Sequence, residues 1–389
     1  MMNLIFWLSL FLLVYPYVGY PALIRFLARR YPIADGHPPN GEEIPFVTLI
    51  ISAYNEAGVI GEKLDNALAL EYPKDKYEIL VVSDASSDET DAIVRTYTEK
   101  DKRVRLLRQE ERRGKSAGLN HAITVARGDI LVFSDANAMY EPNALQELVK
   151  PFADPEVGYV VGAQRYRSSD ETESQSNEGL YWRLELRLKE QESAYSGVVG
   201  GDGAIYALRK NLYHELRDDD LSDFVNPLYA VAQGYRGVFN PRATCWEEAG
   251  ESYEQEFGRK RRIVNRSWRA VRRYLSELNW DEHARYLFAL ISHKALRWYA
   301  TLFTVIAIVT GFASISSGGV IHLLLVLGLI ASVALAYLGH RKAGRNEPLP
   351  KLIGLLYYFH MSSLAGLLGV IDEYRGIRHS TWEHVRNAG

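Results

Sequence analysis

The 389-residue chain has little sulfur and little excess charge: one cysteine (Cys245), four methionines, and 45 Lys+Arg against 48 Asp+Glu, a formal net charge of −3. A single thiol excludes an intramolecular disulfide and suits a reducing compartment. The charge balance gives no general attraction to nucleic acid, so no nucleic-acid partner is expected. The histidines show no metal-ligand spacing, and His214, His283 and His293 read as interfacial or surface residues. No Ser-His-Asp arrangement emerges, and the G-x-x-x-x-G-K-[ST] spacing of a phosphate-binding P-loop is missing. Internal repeats and long low-complexity tracts are absent as well.

Apolar residues are present, but unevenly. They crowd the first ~25 positions and the last ~100, while the middle reads as globular, which at this length fits a soluble domain plus membrane segments. Leu4 to Ile24 is uncharged and about long enough to cross a bilayer. No basic residue precedes it and no small-residue cleavage site follows, so the expectation is a retained anchor over residues 1–30 rather than a signal peptide. Arg25, Arg29 and Arg30 hold its far end in the cytosol. Toward the other terminus, residues 284–298 read as an amphipathic helix lying in the membrane interface. Residues 298–371 hold three candidate spans: Trp298–Ile315 and Val320–Gly339, hinged at Ser316-Ser-Gly-Gly319, and Leu352–Ile371. His340 to Arg345 returns the chain to the cytosolic side. A full crossing by the last span would put Arg375, Arg378 and Arg386 of the tail, residues 372–389, on the outside, against the same rule.

The middle, residues 45–278, alternates apolar strand-like runs with helical patterns, which predicts an α/β fold with a mainly parallel sheet. The strands are placed at Val47–Ser52, Tyr77–Ser83, Val104–Leu107, Ile130–Ser134, Val157–Ala163 and Ala204–Leu208. Ser86-x-x-Glu89 reads as a capping box opening a helix to about Lys100. Ser168–Asn177 reads as a polar loop and Glu178 to about Ser193 as an amphipathic helix. A glycine turn follows at Gly197–Gly203, then the acidic run Asp218–Asp223 and a basic helix Arg259–Arg273.

Four clusters carry chemistry. Two strands end abruptly in Ala53-Tyr54-Asn55-Glu56 and in Asp84, where adjacent strand ends make a ligand crevice; Asp84 serves equally well as the cap of a βα turn. Arg112-Arg-Gly-Lys115 sets three cations just before a helix, an arrangement suited to an anion. Asp135-Ala-Asn137 follows the strand Ile130–Phe133, and these two residues can hold a divalent cation, Mg2+ or Mn2+, that offsets charge on a diphosphate. Asp223 begins an apolar-periodic helix, where it is a candidate general base or a helix cap.

These phrases resemble the motifs of family-2 glycosyltransferases, from about residue 45 to 275. The resemblance implies a GT-A-like fold and an inverting, membrane-bound transferase. The donor is a UDP-sugar, and the acceptor a growing polysaccharide or a lipid-linked sugar. By that likeness Ala53, Tyr54, Glu56, Asp84, Lys115, Asp135 and Arg262 bind the donor nucleotide, and Asp135 and Asn137 the metal. Asp223 is the base, and Gly201, Asp202 and Asp220 lie on the acceptor side. Two departures stand out. Asn137 replaces the second carboxylate of Asp-x-Asp, and Arg259 and Ile263 replace the outer residues of the Gln-x-x-Arg-Trp motif of processive members. A membrane-tethered nucleotide-binding protein without turnover is the alternative of another class.

Overall fold

A computed structural model describes residues 1–31, 44–167, 173–248, 252–345 and 347–378. The apolar runs form strands β1 (Val47–Ala53), β2 (Tyr77–Ser83), β3 (Val104–Arg108) and β4 (Ile130–Asp135). The helices Ile60–Leu68, Thr90–Lys100 and Gly114–Val125 connect them. Then come β5 (Met139–Tyr140), β6 (Val157–Arg167), β7 (Tyr206–Arg209) and β8 (Arg236–Glu248). All eight make one sheet in the order β3-β2-β1-β4-β7-β6-β8-β5. The first four are parallel; β7 runs antiparallel to β4 and β6, and β5 antiparallel to β8.

Every residue of β2 is buried, which is why the strand reads as a continuous apolar run rather than an alternating one. Alternate side chains still separate by face: Ile50, Leu80, Val82, Leu131 and Phe133 belong to one core, and Leu49, Ile51, Ile79, Val81 and Val132 to the other. Each such buried side chain contributes about 1.5–3 kcal/mol. The chain steps outward from β1 to β3 and then returns to the other side of β1 for β4. That reversal opens a crevice at the carboxyl ends of β1 and β4, the topological switch point.

The first core also takes in Tyr20, Ile24, Tyr286, Leu287, Leu290 and Trp298, so one sheet face is continuous with the helices Met2–Ala28 and Trp280–Trp298. Among the described residues three helices are long and apolar enough to cross a bilayer: Met2–Ala28, Gly318–Ala343 and Lys351–Tyr374. Ala300–Ala313 has 14 residues, about 21 Å, and is bent by 64° from Trp280–Trp298. The expected span Trp298–Ile315 is therefore one arm of a bent pair. The hinge falls where the glycines predict it, with Gly319 at φ 71°.

Lys351–Tyr374 runs beside the helix Tyr253–Tyr274 in the same direction. The rings of Tyr357 and Tyr253 lie 4.7 Å apart near the start. Midway, Gly369 lets the Arg261 main chain approach, since an added Cβ would sit 2.5 Å from its carbonyl oxygen. Arg261 grips Asp372 with both arms of its guanidinium, at 2.6 and 2.8 Å, and Arg269 Nε donates to Glu373 at 2.6 Å near the end.

Several local expectations are corrected. No capping box forms at Ser86-x-x-Glu89: the helix begins at Thr90, whose N–H donates to Asp88 Oδ1 at 3.0 Å, while Ser86 Oγ accepts from Asn55 N at 3.1 Å. Of the loop expected at 168–177, residues 168–172 lie outside the described residues. The rest opens the helix Glu173–Tyr195. His293 is fully buried rather than superficial, its ring between Glu192 Oε1 at 2.8 Å and Glu185 Oε1 at 2.6 Å. Tyr20 of the first helix donates to the same Glu192 oxygen at 2.7 Å. Burial works to raise the Glu185 carboxyl, yet His293, Lys294 and Arg297 together hold it well below the usual carboxylate range. His283 is buried too, at 8% exposure.

Candidate active site

The turns after β1 and β2 are stitched to each other. Asn55 and Ala85 both adopt positive φ, 53° and 55°, a strained choice that lets each strand end fold back sharply. Asn55 Oδ1 accepts from Ser87 N at 2.8 Å, Glu56 N donates to Thr90 Oγ1 at 2.8 Å, and Asp84 N donates to the carbonyl of Ala53 at 3.0 Å. Glu56 and Ala53 are both buried in this seam.

Asp84 is engaged with the protein itself. Its Oδ1 accepts from Gln109 Nε2 at 2.7 Å, Arg113 N at 2.9 Å and Gly114 N at 3.0 Å, and its Oδ2 from Gly114 N at 3.0 Å. A carboxylate at the start of the helix Gly114–Val125 satisfies the unpaired N–H groups there. It thereby fixes the turn that presents Arg112 and Lys115. The Arg112 guanidinium stands 4.0 Å from the ring centre of Tyr54, at the end of β1. Asp84→Ala should destabilise the fold by about 1–3 kcal/mol, because the Gln109 amide and the N–H groups of Arg113 and Gly114 lose their acceptor. An unchanged unfolding free energy in denaturant titration would remove Asp84 as the anchor of the basic turn.

Lys115, Asp135 and Asp223 converge. Lys115 Nζ lies 2.5 Å from Asp135 Oδ1. Gly203 marks the meeting point: a Cβ built there would be 3.6 Å from Lys115 Nζ, 3.6 Å from Asp223 Oδ2 and 3.7 Å from Asp135 Oδ2. The glycine turn touches Asp223 from behind as well, with Gly201 N donating to the Asp223 carbonyl. Asp223 stands in the first turn of the helix Ser222–Ala232, not at its N-cap. Burial raises its carboxyl above the usual range; Lys115 opposes the shift, and Asp202 and Asp135 add to it.

Two groups that sequence reading missed support this centre. Lys63 is fully buried; its Nζ donates to the carbonyl of Ala138, just past Asn137, and lies 4.2 Å from the Tyr140 ring centre. Burial lowers its ammonium to about 8. Glu247, on β8, accepts from Gln164 Nε2 at 2.6 Å. Burial and then the charges of Asp135 and Asp202 push its carboxyl up to about 8. Neither shows a sequence signal, because each depends on a neighbour distant in the chain.

Among the described residues no group of three His, Cys, Asp or Glu side chains stands ready to hold a metal. The donor set still fits a divalent cation of the kind held by one or two protein oxygens plus substrate phosphates. Asp135 supplies a carboxylate and Asn137 an amide oxygen. The carboxyls of Glu247 and Asp223 are raised first by burial, with the charges of Asp135 and Asp202 adding to it.

Other expected site residues fall farther off. Asp220 is tied down by Arg273 Nη1 at 2.6 Å and Tyr274 Oη at 3.2 Å. Asp202 accepts from Lys189 Nζ at 3.5 Å. Arg262 is half-buried on the helix Tyr253–Tyr274. Together with burial, its charge helps lower the guanidinium of Arg266 to about 10. Trp268 packs edge-on against Trp298 and Tyr299, at 5.9 and 5.8 Å between ring centres.

A mainly parallel sheet with acidic and basic strand ends meeting at its switch point, extended by antiparallel β7, belongs to the GT-A class of sugar-nucleotide transferase folds. Residues 48–217 match the Glycosyl transferase family 2 domain, and the chain carries such a domain. Poly-beta-1,6-N-acetyl-D-glucosamine synthase of Staphylococcus aureus is 27% identical over 252 residues, covering 63% of this chain and 60% of that protein. The chain thus spans under two thirds of that relative's length. A probable glycosyltransferase of Bacillus subtilis is 27% identical over 309 residues, 74% of this chain and 72% of the relative. Among solved structures, a mannosyltransferase from Pyrobaculum calidifontis in complex with GDP-Man and Mn2+ is similar with a TM-score of 0.69 and 25% identity. That likeness covers 94% of this chain and 99% of the other.

Proposed function

We propose that the protein is a membrane-embedded inverting glycosyltransferase that adds a sugar from a UDP-sugar to a growing polysaccharide. The observation that carries the mechanism is the convergence of Lys115, Asp135 and Asp223 around Gly203. The donor nucleotide lies along the β1 and β2 ends, between Tyr54, Glu56 and the turn anchored by Asp84. Its diphosphate faces Lys115, with Arg262 closing from the helix Tyr253–Tyr274. Asp135 and Asn137 would hold a divalent cation, which would offset charge on the leaving diphosphate. Asp223 takes the proton of the acceptor hydroxyl as that oxygen attacks the anomeric carbon and the carbon–diphosphate bond breaks on the opposite side. One displacement inverts the configuration. The raised carboxyl of Asp223 makes it a stronger base than an ordinary carboxylate.

A second reading, transfer of a single sugar to a lipid-linked acceptor, has specific support. The chain matches the mannosyltransferase end to end, and Arg259 and Ile263 depart from the processive motif. That neighbour's own donor makes GDP-mannose the first alternative to a UDP-sugar. Screening UDP- and GDP-sugars with solubilised protein and Mg2+ or Mn2+ tests both readings. A product ladder supports polymerisation, one added sugar supports single transfer, and neither turnover nor donor hydrolysis leaves a nucleotide-binding protein.

The same reading includes topology. Met2–Ala28 and Gly318–Ala343 cross the bilayer, the bent pair ending in Ala300–Ala313 carries the chain outward between them, and the catalytic domain is cytosolic. Lys351–Tyr374 lies in the interface, because the basic helix Tyr253–Tyr274 runs beside it, with Lys260 5.3 Å from the Tyr358 ring centre and Arg261 and Arg269 paired to Asp372 and Glu373 at its end, which leaves no path through hydrocarbon. This keeps Arg375 and Arg378 on the cytosolic side.

A further inference from the structure

Where the helices Tyr253–Tyr274 and Lys351–Tyr374 end together, they enclose a second polar cleft. Its volume is about 270 Å3, and Arg269, Arg272, Arg273, Glu373, Gly376 and Arg378 line it. Three carboxylates hold these arginines in place. Arg269 pairs with Glu373 at 2.6 Å, Arg273 with Asp220 at 2.6 Å, and Asp219 is shared by Arg269, Arg273 and Arg378. Arg266 joins from below, donating to the main-chain carbonyls of Asp219 and Asp220. The four lining guanidinium groups therefore face three carboxylates, an excess of one positive charge.

The excess sits at the mouth. The side chains of Arg272 and Arg378 are 48% and 71% exposed, and the carboxylate oxygens they approach are 3.6 and 3.7 Å away. Beside these cations the chain exposes apolar surface: Tyr374 and Ile377, 63% and 41% exposed, adjoin lining residues in sequence, and Leu275, two residues past Arg273, is 44% exposed. The Arg272 guanidinium lies 4.9 Å from the centre of the Tyr374 ring. Planar guanidinium forks match phosphate oxygens in pairs. Cations mixed with an exposed aromatic ring and aliphatic side chains, at the end of an apolar helix, are what the headgroup layer of a bilayer selects.

We propose that this cleft binds the phosphate group of an anionic membrane lipid. Because the same arginines grip Asp219 and Asp220, four and three residues ahead of Asp223, lipid occupancy is linked to the placement of the helix that carries Asp223. The binding claim does not depend on which donor or acceptor the enzyme uses.

Thermal unfolding of the detergent-solubilised full chain tests it, with dioctanoyl phosphatidic acid, dioctanoyl phosphatidylcholine and inorganic phosphate as probes. Phosphatidic acid should stabilise saturably, at least tenfold more tightly than phosphatidylcholine, and less so as salt rises. The double variant Arg272→Gln/Arg378→Gln should lose about tenfold in that affinity while keeping a single cooperative unfolding transition. Should the double variant lose that transition, Arg378→Gln alone, at the most exposed position, gives the same comparison with a smaller expected loss. Stabilisation by inorganic phosphate equal to that by phosphatidic acid keeps the site and reassigns its occupant to a soluble phosphate. Equal affinity for the two lipids, or wild-type affinity in a variant that unfolds cooperatively, overturns the proposal.

Discussion

Asp223→Asn should reduce transfer about 10²–10⁴-fold, the usual contribution of a positioned base, while leaving UDP binding intact. The fold should not suffer. Burial and the neighbouring Asp202 and Asp135 raise the Asp223 carboxyl, so the native state binds its proton more tightly than the unfolded chain does. As pH rises through that interval the ionised group lowers stability, and a neutral amide removes the cost. The melting temperature of Asp223→Asn should therefore match or exceed that of the parent above the raised pKa. The same elevation places the acid limb of the kcat/KM profile above the ordinary carboxylate range, and Asp223→Asn should abolish that limb in the residual activity. Asp220→Asn should behave oppositely, losing its charge pairing to Arg273, and with it thermal stability, with only a mild fall in turnover. Near-normal turnover in Asp223→Asn beside a dead, folded Asp220→Asn would move the base three residues upstream.

The other large effect concerns the leaving group. Asp135→Ala should cost at least ~10²-fold in transfer, the scale seen when one element of transition-state charge stabilisation is removed. EDTA should abolish turnover, and Mn2+ or Mg2+ should restore it. Asn137→Asp should be tolerated or should tighten metal binding, since it adds a carboxylate to the set. Manganese paramagnetic resonance with UDP present separates metal affinity from turnover. Full activity in EDTA would assign the leaving-group charge to Lys115, Arg262 and main-chain amides.

The sequence made the parallel half of the sheet legible because β1, β2 and β4 are long, β-branched and ended by polar residues that helices follow. It also located the hinge at Gly319, where glycine alone explains the backbone. Strand β5 has two residues and no periodicity of its own, and it exists only because β8 pairs with it. The extent of β8 was hidden in the same way, with Pro241 and Arg242 exposed between two buried stretches of one strand. Among the candidate site residues, Lys115, Asp135 and Asp223 meet as their motifs suggest. Asp84 was legible as a strand-end carboxylate but not as the anchor of Arg113 and Gly114, a contact across 29 residues. Lys63, Glu247 and His293 were unreadable for one reason: a buried charge is recognisable only by the partner that makes burial tolerable, and the chain does not announce that partner.

The seating of Tyr20 has a consequence for how the molecule is made. Tyr20 and Ile24 emerge from the ribosome early, yet they fill the same core as β-strand residues and as Tyr286 and Trp298, which are synthesised far later. Until Glu192 and His293 arrive, the Tyr20 hydroxyl has no intended partner. On the topology proposed above, the first helix enters the bilayer and waits, and the sheet domain completes its folding against a helix already in place. Insertion and maturation are then one ordered process.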